Sequence, residues 1–298
     1  MMLYGSVAAM YYVIHGLDVL MDLFVRQGIS FDKFGAGKGF WAVVTGCTDG
    51  IGKEMALQLA DKGFNIILLS RTQSKLDEME LEIMNNVGFC HPNPIYFDEE
   101  DPAICDDMVE VNISTMMNMT RLVVPQLRER KTGLILNMGS FAALRSLPFL
   151  SVYAGTKGFV KTWSQSLAYE LEPDGITVSH VFSFWVTSKM SGFRNPTLSV
   201  PTPETYVQCT FDRLGLRCGA TDSFTTIPYW PHSILNFIVS CLWDPRHAPP
   251  VQYNIGNNLY QLGLLRQERR RIRHAERKKA LEEQQAKAAQ GTAVAQAA

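Results

Sequence analysis

The run WAVVTGCTDGIGKEMALQLADKG, residues 41–63, constrains this chain most. Trp41 to Val44 form an apolar β-run that stops at Thr45, and Gly46, Gly50 and Gly52 follow closely. Glycines so spaced allow a tight turn and let the backbone approach a pyrophosphate. Met55, Ala56, Leu59 and Ala60 then share one face of a helix that Gly63 ends. A helix beginning at such a turn presents amide N–H groups and the positive end of its dipole to a phosphate. The sequence therefore predicts the strand–turn–helix unit of a doubly wound α/β sheet. Gly46, Thr48, Asp49, Gly50, Ile51 and Gly52 would surround a dinucleotide.

NIILLS, residues 65–70, reads as the second strand, whose end faces the adenosine ribose in a Rossmann-like sheet. An acid there suits NAD. This chain has Ser70 and Arg71 instead, and a guanidinium pairs with a 2′-phosphate in a bidentate way. NADP(H) is the predicted cofactor, a surface arginine being the alternative.

GLILNMGS, residues 133–140, predicts a further parallel strand ending in Ser140, and residues 151–171 a helix carrying Tyr153 and Lys157. Positions i and i+4 share a helix face, so an ammonium beside the phenol should lower the tyrosine pKa and prepare a general acid/base. Ser140 can donate to a carbonyl oxygen as negative charge develops there. Chance alone gives about 0.4 Tyr-x3-Lys pairs in a chain of this composition, and about 0.02 once a serine thirteen residues earlier is required. Together with the glycine turn, the set is not coincidence.

Elsewhere composition mainly excludes. The 298 residues are 46% hydrophobic and 19% charged, which describes a globular chain and not a disordered one. A net charge of -1 gives no reason to expect nucleic acid as a partner. The cysteines at 47, 90, 105, 209, 218 and 241 lack C-x2-C spacing, so neither zinc nor a disulfide framework is predicted.

The two ends differ from the middle. Residues 1–17 hold no Asp, Glu, Lys or Arg, but Asp18 and Asp22 soon interrupt the run, leaving it short for a bilayer crossing. No basic start or cleavage site marks a signal peptide. A helix lying on a membrane, or one covering the domain, is expected. A second charge-free stretch, Phe224 to Trp243, is broken by Pro228 and Pro231 and contains a helix too short to span. Residues 266–279 hold eight Lys or Arg against two Glu, a block suited to solvent or to anionic lipid headgroups. The expected organisation is a membrane-associated segment at 1–38, a reductase domain at 39–222, an apolar segment at 223–265 and a basic, then Ala- and Gln-rich, tail at 266–298.

T-G-x3-G-I-G at 45–52, N-N-V-G at 85–88, Ser140, Tyr153 and Lys157 together resemble the short-chain dehydrogenase/reductase family. Within it, KFGAGKGFWAVVTG, LSRTQSKL, VNISTMMNMTRLVVP, GSFAAL and NPTLSVPTPETYV are similar to the membrane-bound reductases of very-long-chain 3-oxoacyl-CoA, whose near relatives are the 17-beta-hydroxysteroid dehydrogenases.

The resemblance implies NADPH-dependent reduction of a long-chain 3-oxoacyl-CoA in fatty-acid elongation. It places the chain at the cytosolic face of the endoplasmic reticulum membrane, in contact with lipid and with other elongation enzymes. A steroid or other lipid ketone is the alternative substrate. Tyr153 would protonate the carbonyl oxygen and Lys157 would hold the nicotinamide ribose. Asn112 would order a proton-relay water, and Asn86 and Gly88 would lie beside the adenosine half of the cofactor. Val186, Thr187 and Ser188 would cover the nicotinamide, in a loop where Ser183-Phe184-Trp185 replaces the family's Pro-Gly.

One part is missing. Only 32 residues separate Gly52 from Asn85, whereas a single βαβ unit takes about 30 or more. Helix one, strand two and a helix of TQSKLDEMELEIM use them up, so strands three and four are expected to be absent. Strand four lies beside strand one in the 3-2-1-4-5-6 order, and its loss would open the sheet centre. A shortened splice form or a lost exon explains such a gap. The other reading is a folded pseudoenzyme that survives only as a membrane-associated binding protein.

Overall fold

A computed structural model describes residues 2–69, 90, 91, 93–188 and 190–242, with eight single positions between 257 and 272. After helix α1 (Met2–Phe24) come strand β1 (Trp41–Thr45), helix α2 (Gly50–Asp61) and strand β2 (Asn65–Leu69). Helix α3 (Pro102–Val109) runs through a π-helical segment, Glu110–Ser114, into α4 (Thr115–Arg130). Then follow β3 (Gly133–Met138), the long helix α5 (Ser151–Leu171), β4 (Ile176–Val181), α6 (Pro203–Asp212), the short β5 (Thr225–Thr226) and α7 (Trp230–Leu242).

The pairs among the described strands are all parallel. β1 and β2 run in register from Trp41–Asn65 to Thr45–Leu69, and β3 and β4 from Gly133–Ile176 to Met138–Val181. The described strands form two sheets, β1–β2 and β3–β4–β5. The opening expected at the sheet centre is where they part. Trp41, Ala42 and Val43 of β1 and Gly133 to Leu136 of β3 line one cavity of about 130 Å³, together with Phe31, Phe34, Leu59 and Leu127. The TQSKLDEMELEIM helix falls outside the described residues.

The halves nonetheless share a core. Val44, Met55 and Leu59 from the first meet Leu136, Met138, Val181, Tyr206 and Phe211 from the second in one buried cluster. Apolar contact of this extent, at roughly 25 cal/mol per Å², holds the sheets together without a ladder between them. Gln58 Nε2 also donates to the carbonyl of Glu204 at 3.1 Å, joining α2 to α6.

The described side chains of α1 dock by one face. Val19 and Leu23 are buried against Cys218 and Phe237. Arg213 donates to the Leu23 carbonyl at 2.8 Å, and the Cys218 amide to the Asp22 carboxylate at 3.0 Å. Among the described residues, no helix is long and apolar enough to cross a membrane.

Candidate active site

The glycine turn forms as expected. Gly46 and Gly50 have φ of 65° and 57°, values that favour glycine, and α2 starts at Gly50. Asp49 makes no side-chain cap to the helix, and the first turn of α2 carries no acid, so its amides suit an anion. The Gly46 amide donates to the carbonyl of Leu69 at 3.0 Å, setting the turn beside the end of β2. Ser70, Arg71, Asn86 and Gly88 lie outside the described residues.

Val186, Thr187 and Ser188 reach the same turn from the other half. A Cβ built on Gly50 would lie 3.6 Å from that of Ser188. Val186 is buried, and the Thr187 amide donates to Pro201 at 3.0 Å. Ser188 and Ser191 are hydroxyl partners at 3.2 Å. The loop thus closes over the α2 N-terminus, where a dinucleotide phosphate would sit. These residues fit a nicotinamide dinucleotide, which when bound supplies the hydride.

The expected catalytic residues meet at the C-terminal end of β3. Ser140 follows that strand and accepts from the Ala142 amide at 3.2 Å, and its hydroxyl lies near enough to the phenol of Tyr153 to pull that group's pKa down. Lys157 is only 5% exposed and donates from Nζ to the Met138 carbonyl at 3.1 Å. Its ammonium stands 5.9 Å from the centre of the Tyr153 ring. Asn112 lies in the π-helical segment, 2% exposed, and donates from Nδ2 to Thr156 Oγ1 at 3.0 Å. A π-turn in a longer helix commonly marks a functional position. Here it delivers Asn112 to the catalytic helix α5.

One expectation is reversed. Tyr153 was expected to have a lowered pKa, but burial, with the nearby Cys90 adding to it, pushes the phenol up to about 12 against the pull of Ser140. Burial also lowers Lys157 to about 8. Shared helix spacing places the two side chains together. It does not reveal that both are withdrawn from water, which disfavours phenolate and ammonium alike. A protonated phenol is the form that reduction needs, because the oxygen of the reacting carbonyl must gain a proton.

Several neighbours carry no signal in the sequence. Cys90 lies close enough to Lys157 and Tyr153 to be felt by both, its thiol pushed by burial up to about 11. His91 and Glu100 form a buried pair through Nδ1 and Oε1. His180, 0% exposed, lies beneath α5 with neither ring nitrogen hydrogen-bonded, and burial lowers its pKa to about 3. The Asn112–Thr156 link joins positions 44 residues apart. None of these pairings follows from local spacing.

A strand–glycine–helix dinucleotide cradle joined to a Ser–Tyr–Lys set on the next sheet defines a nicotinamide-dependent oxidoreductase acting on a ketone or secondary alcohol. The particular family follows from comparison. The short chain dehydrogenase model matches residues 40–88 and 80–198, and the chain belongs to that family. The match comes in two overlapping pieces, and the break falls at the expected gap.

The chain is 40% identical to the very-long-chain 3-oxoacyl-CoA reductase of Kluyveromyces lactis over 265 residues, covering 74% of this chain and 77% of that one. It is 34% identical to the Lodderomyces elongisporus protein of the same name, with 90% and 91% covered. That alignment runs over 317 positions, more than the 298 residues present here, so the relative has residues without a counterpart.

Among solved structures, a 7beta-hydroxysteroid dehydrogenase superposes with a TM-score of 0.60 at 16% identity, covering 74% of this chain and 98% of that one. The 3-ketoacyl-(acyl-carrier-protein) reductase of Brucella melitensis, complexed with NADH, gives 0.55 at 21%, covering 63% and 96%. These likenesses concern the fold. The expected Rossmann-like class holds, in shortened form.

Proposed function

We propose that this protein reduces a long-chain 3-oxoacyl-CoA to the 3-hydroxyacyl-CoA, using NADPH, in very-long-chain fatty-acid elongation. The observation that carries the reading is the joining of the Ser140–Tyr153–Lys157 set to a chain 40% identical to a reductase of that name. In this reading Ser140 donates to the carbonyl oxygen at C3, and Tyr153, protonated at neutral pH, supplies the proton. Lys157 holds the nicotinamide ribose, and Asn112 steadies the helix that carries both. NADPH is favoured over NADH by Arg71, where an acid would suit NAD.

The same proposal puts the protein on the cytosolic face of the endoplasmic reticulum membrane, lying on the bilayer. The exposed side of α1 supports this with Val13, Ile14, Leu17, Met21 and Phe24, an apolar stripe at helical spacing. Leu235 and Ile238 of the adjoining α7 are exposed as well. The basic residues of 266–279 would meet anionic headgroups.

The test is an assay of the purified chain with a long-chain 3-oxoacyl-CoA and either NADPH or NADH, with a 17-keto steroid as competitor. NADPH-dependent formation of the 3-hydroxyacyl-CoA, undisturbed by the steroid, is the expected result. Reduction of the steroid alone would overturn the substrate assignment.

A further inference from the structure

Phe149 has a φ of 68°, a left-handed backbone that a bulky side chain adopts only when its surroundings impose it. Its position is what gives the strain meaning. Leu150, the next residue, is the N-cap of α5 and makes no side-chain cap, and Tyr153 lies in the first turn beyond. The entry of the catalytic helix is therefore fixed by whatever fixes Phe149.

Three contacts among the described residues contribute to this. The Ile95 amide donates to the Phe149 carbonyl at 2.9 Å. The ring of Tyr96 meets that of Phe149 edge-on at 4.9 Å, and the ring of Tyr260 stacks on that of Phe149 at 4.9 Å, tilted by only 18°. Tyr96 and Tyr260 also meet each other at 5.3 Å, closing a triangle of three rings in which Phe149, 8% exposed, is one corner. Ring pairs at these separations are attractive beyond the area they bury. The triangle draws on three distant stretches of chain: the one that carries Cys90 past the catalytic pair, the entry to α5, and the C-terminal segment.

We infer that Tyr260 completes an aromatic clamp on Phe149 that sets the first turn of the catalytic helix. Tyr260, Tyr96 and Phe149 are positioning residues, acting on the reaction through Tyr153. The C-terminal segment, to which neither motif nor resemblance gave a role, is thereby part of the active-site framework. Loss of the Tyr260 ring frees Phe149 to relax towards an ordinary φ, and the helix entry shifts with it.

The activity side of this inference rests on the reductase reading, so the experiment has a second arm that does not. In the full chain, hydrogen exchange is measured over the peptide spanning Leu150–Thr156, and kcat and the KM for NADPH are determined separately. Tyr260→Ala is expected to speed exchange in that peptide by about tenfold or more, reporting local opening of the first turn. The same variant should lower kcat by roughly ten- to a hundredfold, the cost of misplacing a reacting group, with the KM for NADPH within about twofold. Tyr260→Phe, which keeps the stacked ring, should behave as wild type in both arms.

Wild-type exchange and turnover in Tyr260→Ala would overturn the clamp. Should Tyr260→Ala fail to fold, Phe149→Asn decides, because asparagine tolerates a φ of 68° and removes the ring without the added backbone freedom of glycine. Faster exchange in that variant upholds the clamp, and unchanged exchange overturns it. If the wild-type chain turns over no 3-oxoacyl-CoA, the reductase reading fails, while the exchange arm still decides the clamp.

Discussion

Lys157 Nζ donates to the main-chain carbonyl of Met138 at 3.1 Å, tying the catalytic helix to the end of β3. The bond is buried, and the residue's pKa is lowered to about 8 by that burial. The ammonium that should hold the nicotinamide ribose is therefore lost within an accessible pH range. In the cofactor-free chain, affinity for NADPH should fall as pH rises through about 8. Titration by fluorescence at several pH values checks this. Lys157→Met should bind weakly throughout and show no step.

The same shift affects stability. The folded pKa of Lys157 is below its unfolded value of 10.5, so the unfolded chain binds more protons between about 8 and 10.5. This residue's burial costs stability at and below pH 8, and the cost is relieved as pH climbs towards 10.5. Tyr153 acts in the opposite sense. Its pKa is raised from 10.0 to about 12, so stability falls as pH rises through that window.

His180 governs the acid side. It is enclosed between the sheet and α5, with Lys157 and Lys161 adding to the burial that lowers its pKa from 6.5 to about 3. The unfolded chain takes up this proton first, so the stability tied to neutral His180 is complete above pH 6.5 and drains away towards pH 3. The loss over that window is on the order of a few kcal/mol. Urea unfolding across this range should show a marked slope that His180→Leu diminishes. Equal slopes in the two proteins would contradict the assignment.

Gly139 and His180 are coupled by space. A Cβ on Gly139 would lie 2.2 Å from Cε1 and Nε2 of the His180 ring, in a strand-end position where neither backbone can yield freely. Gly139→Ala should therefore destabilise the fold by about 1–3 kcal/mol, the usual cost of overpacking. Combined with His180→Ala, the loss should be smaller than the two single losses added together. A double-mutant cycle by chemical denaturation measures this, and strict additivity would refute the contact.

Much of this was legible in local spacing. Gly46, Gly50 and Gly52 between an apolar run and an amphipathic helix foretold the strand–turn–helix unit, and Ser140, Tyr153 and Lys157 foretold a corner where those three side chains lie together. Counting residues from Gly52 to Asn85 located the break between the sheets. What escaped depends on desolvation and on distant pairing. The direction of the Tyr153 shift follows from burial, which spacing does not encode. The Asn112–Thr156 bond, the approach of Cys90 and the ring triangle at Phe149 each join separate segments, and no periodicity announces them.

The exposed stripe of α1 gives a prediction about lipid. Binding to vesicles containing anionic phospholipid should be lost or greatly reduced in Ile14→Lys/Leu17→Lys. Both changes lie on the face that packs against nothing described, so the fold should be kept. Co-sedimentation of the wild type and the double variant reads this directly. Equal binding by the two would place the lipid contact elsewhere.

The central claim is that the shortened chain transfers hydride with Tyr153 as proton donor. NADPH deuterated on its reactive carbon, incubated with the chain and a long-chain 3-oxoacyl-CoA, tests it most directly by mass spectrometry of the product. The wild type should place deuterium at C3 of a 3-hydroxyacyl-CoA, and Tyr153→Phe should do so about 10²- to 10⁴-fold more slowly while still binding NADPH. Absence of label from the wild-type product, or equal labelling by Tyr153→Phe, would contradict it.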